Sequence, residues 1–138
     1  MTLLDTNVIV DALDKNQANH QWAKKQIGDV VAADGGGVSA ITLAELCAGA
    51  RDPADVEPEI KRWGLAVYDV PAAAACACGK AYRRCVMARR SSGGGLSSKM
   101  PLPDFFIGAQ AEVMGWKVAT RDQGRFEKYF PSVVLVMP

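Results

Sequence analysis

The sequence predicts an α/β protein with a mainly parallel sheet, and three observations support this fold class. Short apolar runs alternate with helical stretches along the chain, an order typical of parallel sheets. The length of 138 residues suits one domain with a substantial core. Apolar residues make up 49% of the chain and the formal net charge is +1, which argues against intrinsic disorder. We therefore expect residues 1–138 to form a single domain.

The first half of the chain contains three predicted strands and four predicted helices. The strands are predicted at 2–5, 38–39 and 65–70, with a glycine turn at 35–37. The helices are predicted at 6–13, 19–33, 39–50 and 53–63. Thr6 and Asn7 can cap the first helix, Ser39 or Thr42 can begin the third, and Gly64 is suited to end the fourth.

The second half is predicted to contain two long helices, a loop between them and two strands. Pro71 opens an alanine-rich helix that runs to about Arg90. The loop at 91–103, SSGGGLSSKMPLP, combines glycine, serine and proline and predicts a mobile segment. A helix over 104–115 and strands at 116–119 and 133–136 complete the chain. We find neither an internal repeat nor a second domain in the sequence.

The residue usage predicts a protein of the cytoplasm. Asp5 interrupts the first apolar run and no basic leader precedes it, unlike a signal peptide. No stretch approaches the ~20 apolar residues of a membrane span. His20 is the only histidine, so the cysteines lack the histidine partners of a zinc site. His20 itself is interpreted as an exposed helix residue. The four cysteines are interpreted as reduced and largely buried: Cys47, Cys76, Cys78 and Cys85.

The charge of the chain is unevenly distributed. Residues 1–69 carry 11 acidic and 6 basic residues, whereas residues 70–103 carry six basic and no acidic residues. Four of these bases fall near one helical face, at spacings of three, four and seven: Lys80, Arg83, Arg84 and Arg90. The block is either a solvated helix surface or a contact for a polyanion.

Four acidic residues stand out because each lies where a strand ends or in a helix next to that edge. Asp5 and Asp122 follow predicted strands, and the open edge at the carboxyl ends of parallel strands is where α/β proteins bind ligands. Glu45 lies between apolar neighbours on its helix and needs a partner. Asp104 begins a helix after Pro103. Each acid taken singly also has a structural explanation as a cap or turn residue.

Convergence of the four acids would require protons or cations. Two carboxylates about 6 Å apart repel by about 3 kcal/mol at an effective dielectric constant near 20, and four acids form several such pairs. Oxygen ligands without histidine or cysteine favour Mg²⁺ or Mn²⁺ over zinc. The sequence therefore predicts a magnesium or manganese site if the four acids meet.

Four strings around these acids resemble the PIN-domain ribonucleases, and among them the VapC-type toxins of bacterial toxin–antitoxin modules. They are LLDTNVIVD at 3–11, TLAEL at 42–46, LPDFFIGAQA at 102–111 and ATRDQGRFEKYFP at 119–131. The resemblance implies a three-layer α/β/α sandwich with a mainly parallel central sheet. It also implies an endoribonuclease that uses Mg²⁺ or Mn²⁺ and leaves a 5′-phosphate and a 3′-hydroxyl. The loop at 91–103 looks longer and richer in glycine and serine than is usual in the family.

By this resemblance, Asp5, Glu45, Asp104 and Asp122 are the catalytic, metal-binding acids. Asn7 and Thr120 match the polar residues that orient the carboxylates. Lys80, Arg83, Arg84 and Arg90 become candidate contacts to the RNA backbone. The implied partners are an RNA substrate, a cognate antitoxin and a second copy of the chain in a homodimer. An apolar groove for the antitoxin could be lined by Val8, Ile9, Leu13, Leu43, Leu46 and Trp63.

Other readings of the acids are a haloacid-dehalogenase-like phosphatase, a receiver-like signalling module and a PIN domain of RNA maturation. The phosphatase requires a second aspartate where this chain has Asn7. The receiver requires an aspartate on a middle strand, and the strand at 65–70 offers only Asp69. A PIN domain that matures or only binds RNA, and is not a toxin, remains the alternative.

Overall fold

The computed structural model describes residues 1–33, 35–91 and 102–138 and contains one five-stranded sheet. All neighbouring strands pair in parallel, in the order β3-β2-β1-β4-β5. This confirms the predicted fold class. The strands are β1 (Thr2–Leu4), β2 (Gly36–Ser39), β3 (Ala66–Tyr68), β4 (Lys117–Ala119) and β5 (Leu135–Val136).

Seven α-helices flank the sheet in the described ranges. Asp5 caps α1 by accepting a hydrogen bond from the Thr6 amide, and Ser39 caps α3 in the same way from the Ile41 amide. A 3₁₀ turn, Pro53–Asp55, precedes α4. The helices are α1 (Thr6–Leu13), α2 (His20–Ala32), α3 (Ala40–Gly49), α4 (Val56–Arg62), α5 (Ala72–Ser91), α6 (Leu102–Met114) and α7 (Gln123–Tyr129).

The strand order places a crevice beside β1. The chain runs outward from β1 through β2 to β3 and then returns to the other side of β1 for β4 and β5. The order therefore reverses between β1 and β4, where Leu3 pairs with Val118 and Leu4 with Ala119. In open parallel sheets, the crevice at such a reversal lies beyond the carboxyl ends of the strands. Asp5 and Thr120 directly follow these two strands.

Two apolar clusters cover opposite faces of the sheet and give the three-layer arrangement. Leu3 belongs to the cluster formed with α5, α6 and α7, whereas Leu4 belongs to the cluster formed with α1, α2 and α4. Neighbouring residues of a strand point to opposite faces, so these two leucines, both fully buried, anchor one cluster each. Trp22 and Ile27 pack against the second cluster, as their positions on α2 predicted.

The glycines at 35–37 do not form the predicted turn, because Gly36 and Gly37 belong to β2. A Cβ on Gly36 would lie 2.2 Å from the Thr2 carbonyl oxygen, and one on Gly37 would lie 2.0 Å from that of Ala66. The two glycines therefore allow β2 to approach both neighbouring strands closely. The sequence pattern indicated a turn because glycine is frequent there.

Two further element predictions were wrong. No helix was predicted over 123–129, where α7 lies, and α6 begins at Leu102 instead of residue 104. The predicted mobile loop at 91–103 overlaps both flanking helices, since Ser91 ends α5 and Leu102 begins α6. Residues 92–101 of that loop lie outside the described residues. The strands predicted at 65–70 and 133–136 are shorter than expected.

The cysteines match the prediction only in part. All four are free thiols, and Cys78 and Cys85 are buried. Cys47 is half-buried and Cys76 is exposed on α5, which corrects the expectation that all four are largely buried. No helix in the described part of the chain is long and apolar enough to cross a bilayer.

Candidate active site

Asp5 lies at the centre of a hydrogen-bond network at the carboxyl ends of β1 and β4. Its Oδ1 accepts a bond from the Thr6 amide at 2.8 Å. Its Oδ2 accepts bonds from Asn7 Nδ2 at 2.6 Å and from Thr120 Oγ1 at 2.7 Å. Asn7 Nδ2 also contacts Thr120 Oγ1 at 3.1 Å. With Asp5 only 4% exposed, Asn7 and Thr120 hold its carboxylate in one orientation.

Glu45 is half-buried on α3 and finds its partner on α1. The Thr6 hydroxyl donates a hydrogen bond to Glu45 Oε2. Thr6 also donates its amide to Asp5, so one residue contacts both acids. The sequence predicted that Glu45 needs a partner but did not single out Thr6 for this role. The only signal was that Thr6 directly follows Asp5 at the start of a helix.

Asp104 and Asp122 form a second pair, and Arg125 joins them. Asp104 lies in the first turn of α6, and Asp122 precedes α7. The Arg125 guanidinium donates to Asp104 Oδ2, and its Nε lies 3.1 Å from Asp122 Oδ2. The Asp122 amide donates to Thr120 Oγ1 at 3.0 Å, which ties this pair to the network around Asp5.

The charges of neighbouring acids contribute to the raised pKa values of Asp5 and Asp104. Burial raises the pKa of Asp5, hydrogen bonds from Thr120 and the Thr6 amide lower it, and the charges of Glu45 and Asp122 raise it. Burial raises the pKa of Asp104 to about 6, although Arg125 lowers it. The charges of the other three acids also raise the Asp104 pKa. Glu45 and Asp122 therefore lie near enough to Asp5 and Asp104 for their charges to act there, and the assignment of the four acids as one metal-binding set stays a prediction.

The four carboxylates are suitable ligands for a hard divalent cation, although each already contacts a hydrogen-bond donor or a positive charge of the protein itself. Across residues 1–33, 35–91 and 102–138, no group of three or more His, Cys, Asp or Glu side chains is arranged closely enough to hold a metal ion. Burial is the main reason that the pKa values of Asp5 and Asp104 are raised, and repulsion by the neighbouring carboxylates raises them further. A cation with oxygen ligands would relieve this repulsion.

An ion pair that the sequence did not indicate supports the turn before Asp122. Arg121 Nη1 lies 3.1 Å from Oδ1 of Asp11, which is fully buried on α1. The Arg121 amide donates to Asn7 Oδ1 at 3.2 Å. Neither Asp11 carboxylate oxygen accepts a hydrogen bond from the described residues, so Arg121 is the compensating charge that the structure shows.

The predicted basic face is exposed on α5. Lys80, Arg83, Arg84 and Arg90 all lie at the surface of this helix. Arg84 Nη2 also donates to the Tyr129 carbonyl oxygen at 3.2 Å and so links α5 to α7. His20 is half-buried at the start of α2, with Nδ1 2.9 Å from the Asp11 carbonyl oxygen, which corrects its description as exposed.

An apolar groove of about 460 Å³ opens beside the acids, between α1, α3 and α4. Four of the six predicted lining residues line it, namely Ile9, Leu13, Leu46 and Trp63. Val8 does not, because it is fully buried in the core, and Leu43 lies outside the lining. Thr6 and Glu45 also line the groove, which therefore reaches the acidic site.

The fold and site define a three-layer α/β/α domain with an acidic pocket at the reversal of its parallel sheet. Residues 2–130 match the sequence profile of the PIN domain, and the chain belongs to the PIN-domain family. PIN domains are nucleases. No individual curated protein sequence matches the chain.

Solved structures with the same fold cover nearly the whole chain. DNA-bound VapBC from Salmonella typhimurium is 24% identical with a TM-score of 0.68, and covers 99% of this chain and 96% of its own. FitAcB from Neisseria gonorrhoeae is 23% identical with a TM-score of 0.64, with 98% and 96% covered. A toxin–antitoxin complex from Klebsiella pneumoniae is 23% identical with a TM-score of 0.58, with 97% and 96% covered.

Proposed function

We propose that this protein is a Mg²⁺- or Mn²⁺-dependent endoribonuclease and the toxin of a toxin–antitoxin module. The observation that carries the nuclease proposal is that the charges of Glu45 and Asp122 act on both Asp5 and Asp104, although the four acids come from separate segments of the chain. Membership of the PIN-domain family supports the same chemistry. RNA as the substrate would place the protein in the cytoplasm.

In this proposal Asp5 and Asp104 chiefly hold the cation, and Glu45 binds it directly or through water. Asp122 completes the cage, orients the attacking water or helps to hold a second ion. A bound Mg²⁺ or Mn²⁺ would supply a nucleophilic water at neutral pH and neutralise negative charge on the phosphate. Asn7 and Thr120 keep the Asp5 carboxylate aimed into the pocket through their bonds to its Oδ2.

The basic face of α5 is the proposed contact for the RNA backbone. Its exposed side chains carry positive charge over three turns of the helix: Lys80, Arg83, Arg84 and Arg90. Binding through such contacts weakens as the salt concentration increases, because the release of counterions from RNA then favours the complex less. Arg83→Gln with Arg90→Gln should therefore weaken RNA binding and reduce its salt dependence.

The catalytic proposal is tested with purified protein, Mg²⁺ and a structured RNA. The protein should cut the RNA, and EDTA or Asp5→Asn should abolish cleavage. Asp29→Asn serves as the control, because Asp29 is an exposed carboxylate on α2 paired with Lys25. Cleavage by Asp5→Asn and Asp104→Asn at the wild-type rate would show that these acids are not catalytic.

We further propose that an antitoxin segment occupies the groove. The groove is lined by aliphatic residues and Trp63, and four of its lining residues are acidic: Glu45, Asp52, Asp55 and Glu59. Arg51 is the one basic residue among the described lining residues. A segment with apolar anchors and basic residues would match this surface. A contact between the segment and Glu45 would place one end of the segment at the acidic site. The similar solved structures include VapBC and FitAcB, and one is a toxin–antitoxin complex.

The proposed docking in the groove is tested by coexpressing this chain with the protein that a small reading frame beside its gene encodes. Leu13→Asp should weaken the complex at least about 100-fold, because Leu13 lines the groove with 61% of its surface exposed. Val134→Asp is the matched control: Val134 is 59% exposed but lies outside the groove. Equal effects of the two variants would contradict docking in the groove.

The alternative function is a PIN-domain nuclease or RNA-binding protein of RNA maturation that is not a toxin. Growth arrest on expression, relieved by Asp5→Asn, distinguishes the toxin from this alternative. We also propose a homodimer, which sedimentation of the purified chain measures directly.

A further inference from the structure

Arg125 places a permanent positive charge inside the acidic pocket. It lies on α7, and its guanidinium contacts Asp104 on α6 and Asp122 before α7. The side chain is 38% exposed, so Arg125 is partly open to solvent and is not locked in the core. Asp104 is the more buried partner, with 15% of its side chain exposed.

The other two acids are held by neutral donors only. Asp5 accepts bonds from the Thr6 amide, Asn7 and Thr120, and Glu45 accepts one from the Thr6 hydroxyl. No ion pair to Asp5 or Glu45 occurs within the ranges that the structure describes. The pocket is therefore divided into a side without a counter-ion, at Asp5 and Glu45, and a side where Arg125 offsets part of the negative charge.

We infer that Arg125 is a built-in counter-ion that competes with the divalent cation for Asp104 and Asp122. The guanidinium already contacts Oδ2 of Asp104 and Oδ2 of Asp122, and its positive charge repels a metal ion that binds either carboxylate. A cation that binds Asp104 must therefore either displace Arg125 or bind next to its positive charge. The arginine lowers the affinity for Mg²⁺ or Mn²⁺ and so sets the concentration at which the site fills. This inference rests on the proposed metal-dependent function.

The inference is tested by titrating the purified protein with Mn²⁺ in a calorimeter, without RNA. Arg125→Met keeps the length of the side chain and removes its charge, and should bind Mn²⁺ at least about tenfold more tightly than wild type. Arg125→Lys replaces the forked contact by a single ammonium, and should bind about threefold more tightly. Lys128→Met is the matched control: it removes one positive charge from the same helix, where Lys128 lies over the Tyr129 ring instead of the acids.

The possible results separate this inference from the proposed function. Tighter binding by both Arg125 variants, with Lys128→Met unchanged, supports the competition. If wild type binds Mn²⁺, Asp5→Asn removes that binding, and the Arg125 variants bind no more tightly, the competition is refuted while the metal site stands. If no variant binds Mn²⁺, the metal-dependent function fails and the competition fails with it. Thermal denaturation of each variant verifies folding, and Arg125→Lys keeps the test decisive should Arg125→Met be unfolded.

Discussion

The Thr120 hydroxyl donates a 2.7 Å hydrogen bond to Asp5 Oδ2, and this contact joins the ends of the neighbouring strands β4 and β1. The same hydroxyl oxygen accepts bonds from Asn7 Nδ2 and from the Asp122 amide. Thr120 is fully buried, so its hydroxyl has no water to replace these partners. One hydroxyl thus positions two of the four acids.

Thr120→Val should weaken both the fold and cation binding. The substitution keeps the shape and removes the donor that lowers the pKa of Asp5, so the Asp5 pKa should rise further. We expect a loss of about 1–3 kcal/mol in the free energy of unfolding, measured with urea. We expect Mn²⁺ affinity to fall about 10- to 100-fold, measured by calorimetry.

Thr42→Val is the control for Thr120→Val. Thr42 is also fully buried, but its hydroxyl has no hydrogen-bond partner among the described residues. The free energy of unfolding of Thr42→Val should be unchanged or higher, because a buried unpaired hydroxyl is replaced by a methyl group. Equal losses for the two threonines would mean that shape, and not the bond to Asp5, matters at position 120.

Arg121→Met should destabilise the protein, because it leaves the fully buried Asp11 carboxylate without its counter-charge. We expect the free energy of unfolding to fall by about 3 kcal/mol. This value is at the lower end of the range for a broken buried ion pair, because the Arg121 side chain is 43% exposed. Urea denaturation measures this loss. Adding Asp11→Leu to Arg121→Met should recover much of it.

Arg62→Met is the matched control on an exposed pair. Arg62 and Glu59 have 75% and 41% of their side chains exposed. We therefore expect the free energy of unfolding of Arg62→Met to fall by less than about 1 kcal/mol. A double variant of Asp11 and Arg121 no more stable than Arg121→Met alone would show that the unpaired carboxylate is not the cause.

The stability of the protein should fall as pH rises from about 4 to about 6. The pKa of Asp104 is about 6 in the folded chain against 3.8 in the unfolded chain. In this window the folded protein holds a proton that the unfolded protein has lost, so the free energy of unfolding decreases with pH. The raised pKa of Asp5 acts in the same direction.

Urea denaturation at several pH values measures this dependence, and Asp104→Asn should reduce the slope. Saturating Mn²⁺ should reverse it, because the cation binds the ionised carboxylates. Asp29→Asn, on the exposed surface of α2, should leave the slope as in wild type. A flat profile in wild type would contradict the raised pKa of Asp104.

Much of the fold was predictable from the sequence because its signals are local. Within the residues that the structure describes, apolar runs and turn residues located all five strands and six of the seven helices, although several ends were displaced. The seventh helix was missed because Gln123–Tyr129 has only seven residues, too few to show a clear helical period. The glycines of β2 were misread because their function is to let two neighbouring strands approach, which no local pattern records.

The sequence by itself determined where the acids lie, since Asp5 and Asp122 follow apolar runs and Asp104 and Glu45 lie on recognisable helices. Only the tertiary structure decided which partner each acid has. Thr6 bonds to Glu45, 39 residues away, and Arg125 reaches Asp104 across 21 residues. Such pairs form when separate segments pack together, so their choice depends on the geometry of the whole sheet and its helices. For this reason Arg125, the cation inside the acidic pocket, was invisible in the sequence and evident in the fold.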